Sequence, residues 1–190
     1  MKGKKIVVTG GPGTGKTALI QSLEDSGSLC FHEIVRDMTQ EAKKNGSENK
    51  IKTNPLAFIK DPYTFNEQLL EGRLRHYQKA DTLEEPVIFF DRGMPDVLAY
   101  MDYFKQPYKE DFIKPCKENR YDMVLLLPPW EAIYVQDNER LENYREAVEI
   151  HHALENTYKL LGYRPIEVPT GTKAERLSFA KNIIKADARE

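Results

Sequence analysis

Apolar residues along this chain follow two patterns, short continuous runs and longer stripes with a helical period. The continuous runs predict buried strands, because uninterrupted apolar segments bounded by turn residues are typical of a parallel sheet. The stripes recur every three or four residues and predict amphipathic helices. The predicted strands are 5–9, 29–35, 87–90, 121–127 and 164–168, and the predicted helices are 16–24, 36–44, 61–80, 141–161 and 172–184.

Local signals support several of these helix boundaries. Asp61-Pro62 combines a favourable N-cap with a favourable first helical residue, and Gly162 is a natural C-cap. Strands and helices alternate along the sequence, which predicts an α/β fold with a mainly parallel sheet covered by helices on both faces. The length of 190 residues suits a single domain over 1–190.

Composition and charge exclude several classes of protein. Lys and Arg number 28 and Asp and Glu number 30, so the formal net charge of 28 − 30 = −2 disfavours nonspecific nucleic-acid binding. No apolar run approaches the roughly 18 residues of a membrane helix. The apolar stretch after the basic N-terminus is too short for a signal peptide, and two cysteines fit a reducing compartment. We therefore expect a cytoplasmic protein.

The first predicted strand runs directly into a glycine-rich loop, Gly10-Gly-Pro-Gly-Thr-Gly-Lys-Thr17. This loop fits the phosphate-loop pattern of glycine, four residues, Gly-Lys, then Ser or Thr, without a mismatch. Glycines let the backbone curl so that successive N–H groups face an anion, and the following helix adds its positive end. A dinucleotide site is disfavoured because the sixth position from Gly11 is Lys16 rather than glycine.

The loop predicts a nucleoside triphosphate site with magnesium. Lys16 is expected to reach the β and γ phosphates, and the Thr17 hydroxyl to ligate the Mg²⁺ that bridges them. ATP is the expected nucleotide, and GTP stays open, since the absence of an Asn-Lys-x-Asp guanine-reading motif favours ATP only mildly. The predicted nucleotide contacts are Gly11, Gly13, Thr14, Gly15, Lys16, Thr17 and Ala18.

A carboxylate directly follows the strand predicted at 87–90. Ligands of open α/β sheets collect at the carboxyl ends of strands, so Asp91 is expected near the magnesium ion, as a ligand through water or as a base. The adjacent Arg92 is a fork donor suited to a phosphate or an acidic substrate. The alternatives are that Asp91 caps the next turn and that Arg92 forms an ordinary salt bridge.

A second carboxylate, Glu33, lies at the end of the second predicted strand. If the sheet is wound around the first strand, this end also opens toward the phosphoryl acceptor. Glu33 is therefore the candidate general base for an acceptor hydroxyl. The alternative is a structural ion pair with Arg36, three residues further along the chain.

With the phosphate loop, the Asp91-Arg92-Gly93 turn and the segment Asp137-Asn-Glu-Arg140, the sequence resembles the NadR-like AAA family of small P-loop proteins. The resemblance covers nearly the whole chain. That family includes the nicotinamide-riboside kinase domain of NadR and relatives described as predicted ATPases, and it is similar in fold to nucleoside and nucleotide kinases. The resemblance implies a five-stranded parallel core of order 2-3-1-4-5.

The resemblance also implies two covers over the site. Residues 130–145 would be a lid that closes on ATP, with Arg140 reaching the transferring phosphate and Arg145 assisting, and the alternative is a solvated helix face. Residues 46–80 would be the acceptor-side cover. Aromatic side chains at helical spacing in this cover either stack on the acceptor or belong to the core. They are Tyr63, Phe65 and Tyr77.

Together these features predict a magnesium-dependent kinase that transfers the γ-phosphoryl group of ATP to a hydroxyl of a small metabolite, nucleosides included. In such a reaction the protein mainly positions the substrates and neutralises their charge. The alternative is a regulatory ATPase or GTPase switch that acts through a protein or lipid partner. The predicted catalytic residues are Lys16, Glu33, Asp91, Arg92 and Arg140, with Thr17 and Asp91 as metal ligands.

Overall fold

A parallel sheet forms the centre of the fold. The computed structural model describes residues 3–34, 61–134 and 143–187, and within them five strands pair in parallel in the order β2-β3-β1-β4-β5. This order and the α/β class confirm the predictions. The strands are β1 (Lys4–Gly10), β2 (Leu29–Phe31), β3 (Val87–Asp91), β4 (Met123–Leu127) and β5 (Ile166–Glu167).

Helices cover both faces of this sheet. Along β1, Val7 packs with one group of helices, whereas Ile6 and Val8 pack with the other, because side chains alternate between the faces of a strand. The helices in the described ranges are α1 (Lys16–Asp25), α2 (Pro62–Ala80), α3 (Met94–Tyr103), α4 (Glu110–Glu118), α5 (Tyr144–Leu160) and α6 (Lys173–Asp187). Helices α2, α3 and α4 lie on the first face and α1 and α6 on the second. None of them combines the length and the apolar composition that a bilayer crossing requires.

Several predicted elements have different limits in the structure. Strand β2 ends at Phe31 rather than at residue 35, and the predicted helix 36–44 lies outside the described residues. The pattern also misses two helices. Seven of the ten residues of α3 are buried, so the polar face of this helix is too narrow to reveal its period. Helix α4 contains Pro115, which normally argues against a helix interior.

The strand register brings the predicted site residues to one edge of the sheet. Val8 of β1 pairs with Asp91, the last residue of β3, and the phosphate loop leaves β1 two residues later. Phe31 of β2 pairs with Phe90, so Glu33 follows just beyond the same edge. Because all strands are parallel, their carboxyl ends converge where the loop begins.

Candidate active site

The phosphate loop joins β1 to α1 through backbone that glycine adopts most readily. Gly13 has φ 73° and Gly15 has φ 77°, both in the left-handed region. Thr14 is buried, and its hydroxyl donates to the Gly11 carbonyl at 3.0 Å. Gly15 is the N-cap of α1. The loop therefore has a fixed curl in front of a helix N-terminus, an arrangement that binds anions.

Two side chains from distant parts of the chain enclose this loop. A Cβ atom added to Gly13 would lie 2.5 Å from Cδ2 of Tyr134, and one added to Gly15 would lie 2.7 Å from Nη1 of Arg176. Neither glycine position has room for a side chain. Tyr134 is in the first part of the predicted lid, so that segment begins in contact with the loop.

Lys16 and Asp91 form a buried ion pair, so the structure brings together two of the predicted residues. Their side chains are 11% and 1% exposed. Burial lowers the pKa of the Lys16 ammonium, and the positive charge of Arg92 lowers it further, while Asp91 and Glu33 oppose the shift. The pair lies where the loop, β3 and the first turn of α1 meet.

Thr17 and Asp91 fit a magnesium ion in their chemistry. Both offer the hard oxygen donors that this ion prefers. Thr17 follows Lys16 in the first turn of α1, and Lys16 contacts Asp91, so both donors belong to the same part of the site. Within the described ranges, no three His, Cys, Asp or Glu side chains form a metal site by themselves. The ion would take its remaining ligands from phosphate and water, as Mg²⁺ does at nucleotide sites.

Glu33 forms salt bridges with two buried arginines. Nη2 of Arg73 donates to Oε1 at 2.9 Å, and Nε of Arg92 lies 2.6 Å from Oε2. Burial opposes ionisation of Glu33, but the positive charges of Arg73, Arg92 and Lys16 outweigh it and lower the pKa of the carboxyl to about 2. Glu33 is thus a fixed anion and a weak base in this arrangement. Arg36, the alternative partner, lies outside the described residues.

Asp96 holds Arg92 from the other side. Its Oδ1 accepts from the Thr9 hydroxyl at 2.5 Å and from Nη1 of Arg92 at 3.2 Å. Its Oδ2 accepts from the Tyr158 hydroxyl at 2.6 Å and from the Gly93 N–H at 3.0 Å. Asp96 is fully buried. Since four donors already occupy both oxygens, its role is to fix the turn and the arginine.

The backbone of Arg92 is strained. Its φ of 74° is in the left-handed region, which costs a non-glycine residue roughly 1–2 kcal/mol. Ion pairs to Glu33 and Asp96, and the ring of Tyr100 at 5.1 Å from the guanidinium carbon, hold the side chain on three sides. Nη1 of Arg73 donates a hydrogen bond to the carbonyl of the next residue, Gly93, at 3.0 Å. The orientation of the Arg92 guanidinium is therefore set by several contacts at once.

The sequence analysis does not include Arg73 and Asp96 among the site residues, although a pattern in the sequence indicates each of them. Arg73 occupies the stripe that also holds Leu69 and Leu70 in α2, and a charge at such a position indicates a buried ion pair. Asp96 follows Gly93 by three residues, the spacing at which an acidic side chain accepts from the N-cap N–H.

The structure describes only part of the predicted lid, residues 130–145. Glu131–Ile133 forms a 3₁₀ turn and leads to Tyr134, and Arg140 lies outside the described residues. The Arg145 side chain is 89% exposed and pairs with Glu149 of the same helix at 3.3 Å. These contacts favour the solvated helix face for Arg145.

The three aromatic residues of the predicted acceptor cover pack within the protein. Phe65 is buried in the core, and the Tyr63 ring meets Phe112 edge-on at 5.2 Å. The Tyr77 hydroxyl donates to the Arg120 carbonyl at 2.8 Å. Core packing is therefore the interpretation that the structure favours for this set.

Solved structures with this fold include two kinases and a NadR protein. A deoxyadenosine kinase from M. mycoides is 17% identical, with a TM-score of 0.64 over 96% of this chain and 99% of that chain. A thymidylate kinase from Candida albicans is 16% identical, with a TM-score of 0.68 over 98% and 93%. A NadR protein in complex with NR is 18% identical, with a TM-score of 0.69 over 96% of this chain and 51% of that chain. The chain therefore spans about half the length of NadR.

The family is established by sequence. No curated protein matches the chain. The sequence model of a family described as an AAA domain, however, matches residues 5–176, from β1 to the first turn of α6. This match, with the likeness to NadR, confirms the family predicted from the phosphate loop and the Asp91-Arg92-Gly93 turn. The chain belongs to the AAA-domain family of P-loop proteins.

Proposed function

We propose that this protein is a magnesium-dependent kinase that transfers the γ-phosphoryl group of ATP to a hydroxyl of a small metabolite, nucleosides included. The observation that carries the proposal is the convergence of the Lys16–Asp91 pair and the Glu33–Arg92 pair beside the phosphate loop. The first pair suits a triphosphate and its metal. The second pair supplies a carboxylate and a fork donor for a second, hydroxyl-bearing substrate.

The solved structures that share the fold support this choice of reaction. They are a deoxyadenosine kinase, a thymidylate kinase and a NadR protein that holds NR. Each of these names refers to a nucleoside or nucleotide ligand. A compact acceptor of the nucleoside class is therefore the first to test.

On the nucleotide side, the Lys16 ammonium would bind the β and γ phosphates, and the backbone N–H groups of Gly11 and of residues 13–18 would bind the phosphate oxygens. Thr17 and Asp91 would hold the magnesium ion. When bound, this ion neutralises charge on the phosphates. Asp91 keeps the ammonium in place beside the loop, so that a phosphate oxygen can take over the contact with little movement of Lys16.

On the acceptor side, Arg92 and Glu33 would act together. A transferring phosphate bound by Arg92 would neutralise part of the positive charge of one of the two arginines that lower the pKa of Glu33. Its carboxylate then becomes a better acceptor for the proton of the attacking hydroxyl. Asp96 keeps Arg92 close to both partners, because it holds a different nitrogen of the guanidinium.

Product analysis tests this proposal. The protein is incubated with ATP, Mg²⁺ and a pool of nucleosides and small hydroxyl metabolites, and mass spectrometry searches for a species that has gained one phosphate. Lys16→Ala should abolish that product, whereas Lys114→Ala, at an exposed lysine of α4, should not. Release of ADP and free phosphate with every acceptor would instead support the regulatory hydrolase. Normal transfer by Lys16→Ala would contradict the assigned site.

A further inference from the structure

A buried arginine near the end of the described chain contacts the phosphate loop. Arg176, in the first turn of α6, is 5% exposed, and its Nη1 donates to the Thr14 carbonyl at 2.9 Å. Its Nε is also buried and has no hydrogen-bond partner. Arg176 is 162 residues from Thr14 in sequence, and the fold places its cation directly against the loop.

No carboxylate of the described ranges pairs with this guanidinium. Within the described ranges, it contacts the Thr14 carbonyl and the ring of Trp130, whose centroid is 5.9 Å from the guanidinium carbon. Burial lowers the pKa of Arg176. Arg73, buried to the same extent, is paired with Glu33. A buried charge is costly unless an opposite charge lies close to it, so an anionic ligand beside the loop would complement this guanidinium.

The bond to Thr14 also fixes one peptide group of the loop. The Thr14 carbonyl and the Gly15 N–H belong to the same planar unit and point in opposite directions. A guanidinium that binds the carbonyl therefore holds the Gly15 N–H facing away from Arg176, and it polarises that N–H as a donor. The guanidinium lies where a Gly15 side chain would begin, which blocks an alternative packing of the loop on this side.

We propose that Arg176 is a positioning residue for phosphate binding. It holds the Thr14–Gly15 peptide with its N–H toward the phosphate tail of the nucleotide, and the phosphate balances its positive charge. This inference rests on the nucleotide site of the proposed function, and it does not depend on the transfer of a phosphoryl group.

The test measures binding of two probes, Mg-ATP and magnesium pyrophosphate, to the full chain by calorimetry. Two neutral variants, Arg176→Met and Arg176→Gln, should each bind both probes at least tenfold more weakly. Arg176→Lys restores the charge and should recover part of the affinity. Lys173→Ala removes an exposed cation from the same turn of α6 and should stay within twofold of the wild type. Thermal unfolding identifies which variants are folded. If one neutral variant does not fold, the binding measured with the other neutral variant decides the test.

Tryptophan fluorescence gives a readout that a purely structural role would not change. Trp130 is the single tryptophan of the chain, and it lies beside Arg176. Pyrophosphate should shift its emission in the wild type and in Arg176→Lys, but not in folded Arg176→Met or Arg176→Gln.

The outcomes separate this inference from the kinase proposal. Binding within twofold of the wild type by a folded neutral variant would overturn the role of Arg176 and leave the kinase proposal intact. Tight ATP binding without transfer to any metabolite would reject the kinase proposal and leave the role of Arg176 intact. A wild-type protein that binds neither probe would reject both.

Discussion

Replacing Glu33 with Gln tests whether a single ionised carboxylate holds the buried arginine network together. Glutamine keeps the size and shape of the side chain and removes its charge. Arg73 and Arg92 both contact this carboxylate, and both are largely buried. The variant therefore keeps two buried cations and loses the anion that lies between them, a change that is costly in a protein interior.

The pKa of Glu33 sets the size of the expected effect. It falls from 4.5 to about 2 in the folded protein. This shift corresponds to about 3 kcal/mol of folding free energy at neutral pH. Because the folded pKa is below the unfolded one, the stabilisation is complete above the unfolded value and is lost as the pH falls toward the folded value. Roughly 2 kcal/mol of it should disappear between about pH 5 and about pH 3.

Urea unfolding of the wild type and Glu33→Gln, from neutral pH down to about pH 3, measures this effect. The difference in unfolding free energy should be about 3 kcal/mol at neutral pH and about 1 kcal/mol at the acid end. Glu71→Gln is the matched control, since Glu71 is an exposed carboxylate on α2 that pairs with Arg75. Its effect should stay below about 1 kcal/mol at every pH. A Glu33→Gln difference that does not change with pH would refute the reasoning.

Three further substitutions test other contacts of the site. Asp91→Asn leaves the buried Lys16 ammonium without its paired carboxylate, and urea unfolding should show a loss of about 3 kcal/mol. Tyr158→Phe removes the hydroxyl that donates to Asp96 at 2.6 Å, and thermal unfolding should show a loss of about 2 kcal/mol, the cost of a hydrogen bond to a charged group. Gly13→Ala adds a Cβ atom at φ 73°, 2.5 Å from a tyrosine ring, so calorimetry should show ATP binding at least tenfold weaker. Wild-type stability of Asp91→Asn or Tyr158→Phe would contradict the contact that the variant removes, and wild-type ATP binding by Gly13→Ala would contradict the need for glycine at this position.

Much of the fold could be predicted because the relevant signals are local. The helix predicted at 61–80 matches α2 almost residue for residue, and the predicted cap is present, since Asp61 accepts from the Tyr63 N–H at 3.0 Å. Helix α3 could not be predicted in this way. Seven of its ten residues are buried, so its sequence carries little alternation between core and solvent. A helix with a wide polar face is visible in a sequence, whereas a largely buried one depends on what surrounds it.

The candidate site was likewise predictable only where its residues have a local signal in the sequence. Lys16 and Asp91 could be placed near each other because the loop that leads to Lys16 and the residue Asp91 each follow the end of a predicted strand in a parallel sheet. The partners of Glu33 could not be predicted from the sequence. Arg73, 40 residues away in sequence, reaches it from α2, and no spacing rule relates the two.

The sequence by itself determined the phosphate loop and the strands of the sheet, including the one that delivers Asp91, because each depends on residues within a few positions of one another. The tertiary structure alone decided which buried charges pair and which do not. It joins Glu33 to two arginines, and it leaves the guanidinium of Arg176 against a loop carbonyl. Ion pairing depends on distance and burial between elements far apart in the chain, and a local pattern encodes neither quantity.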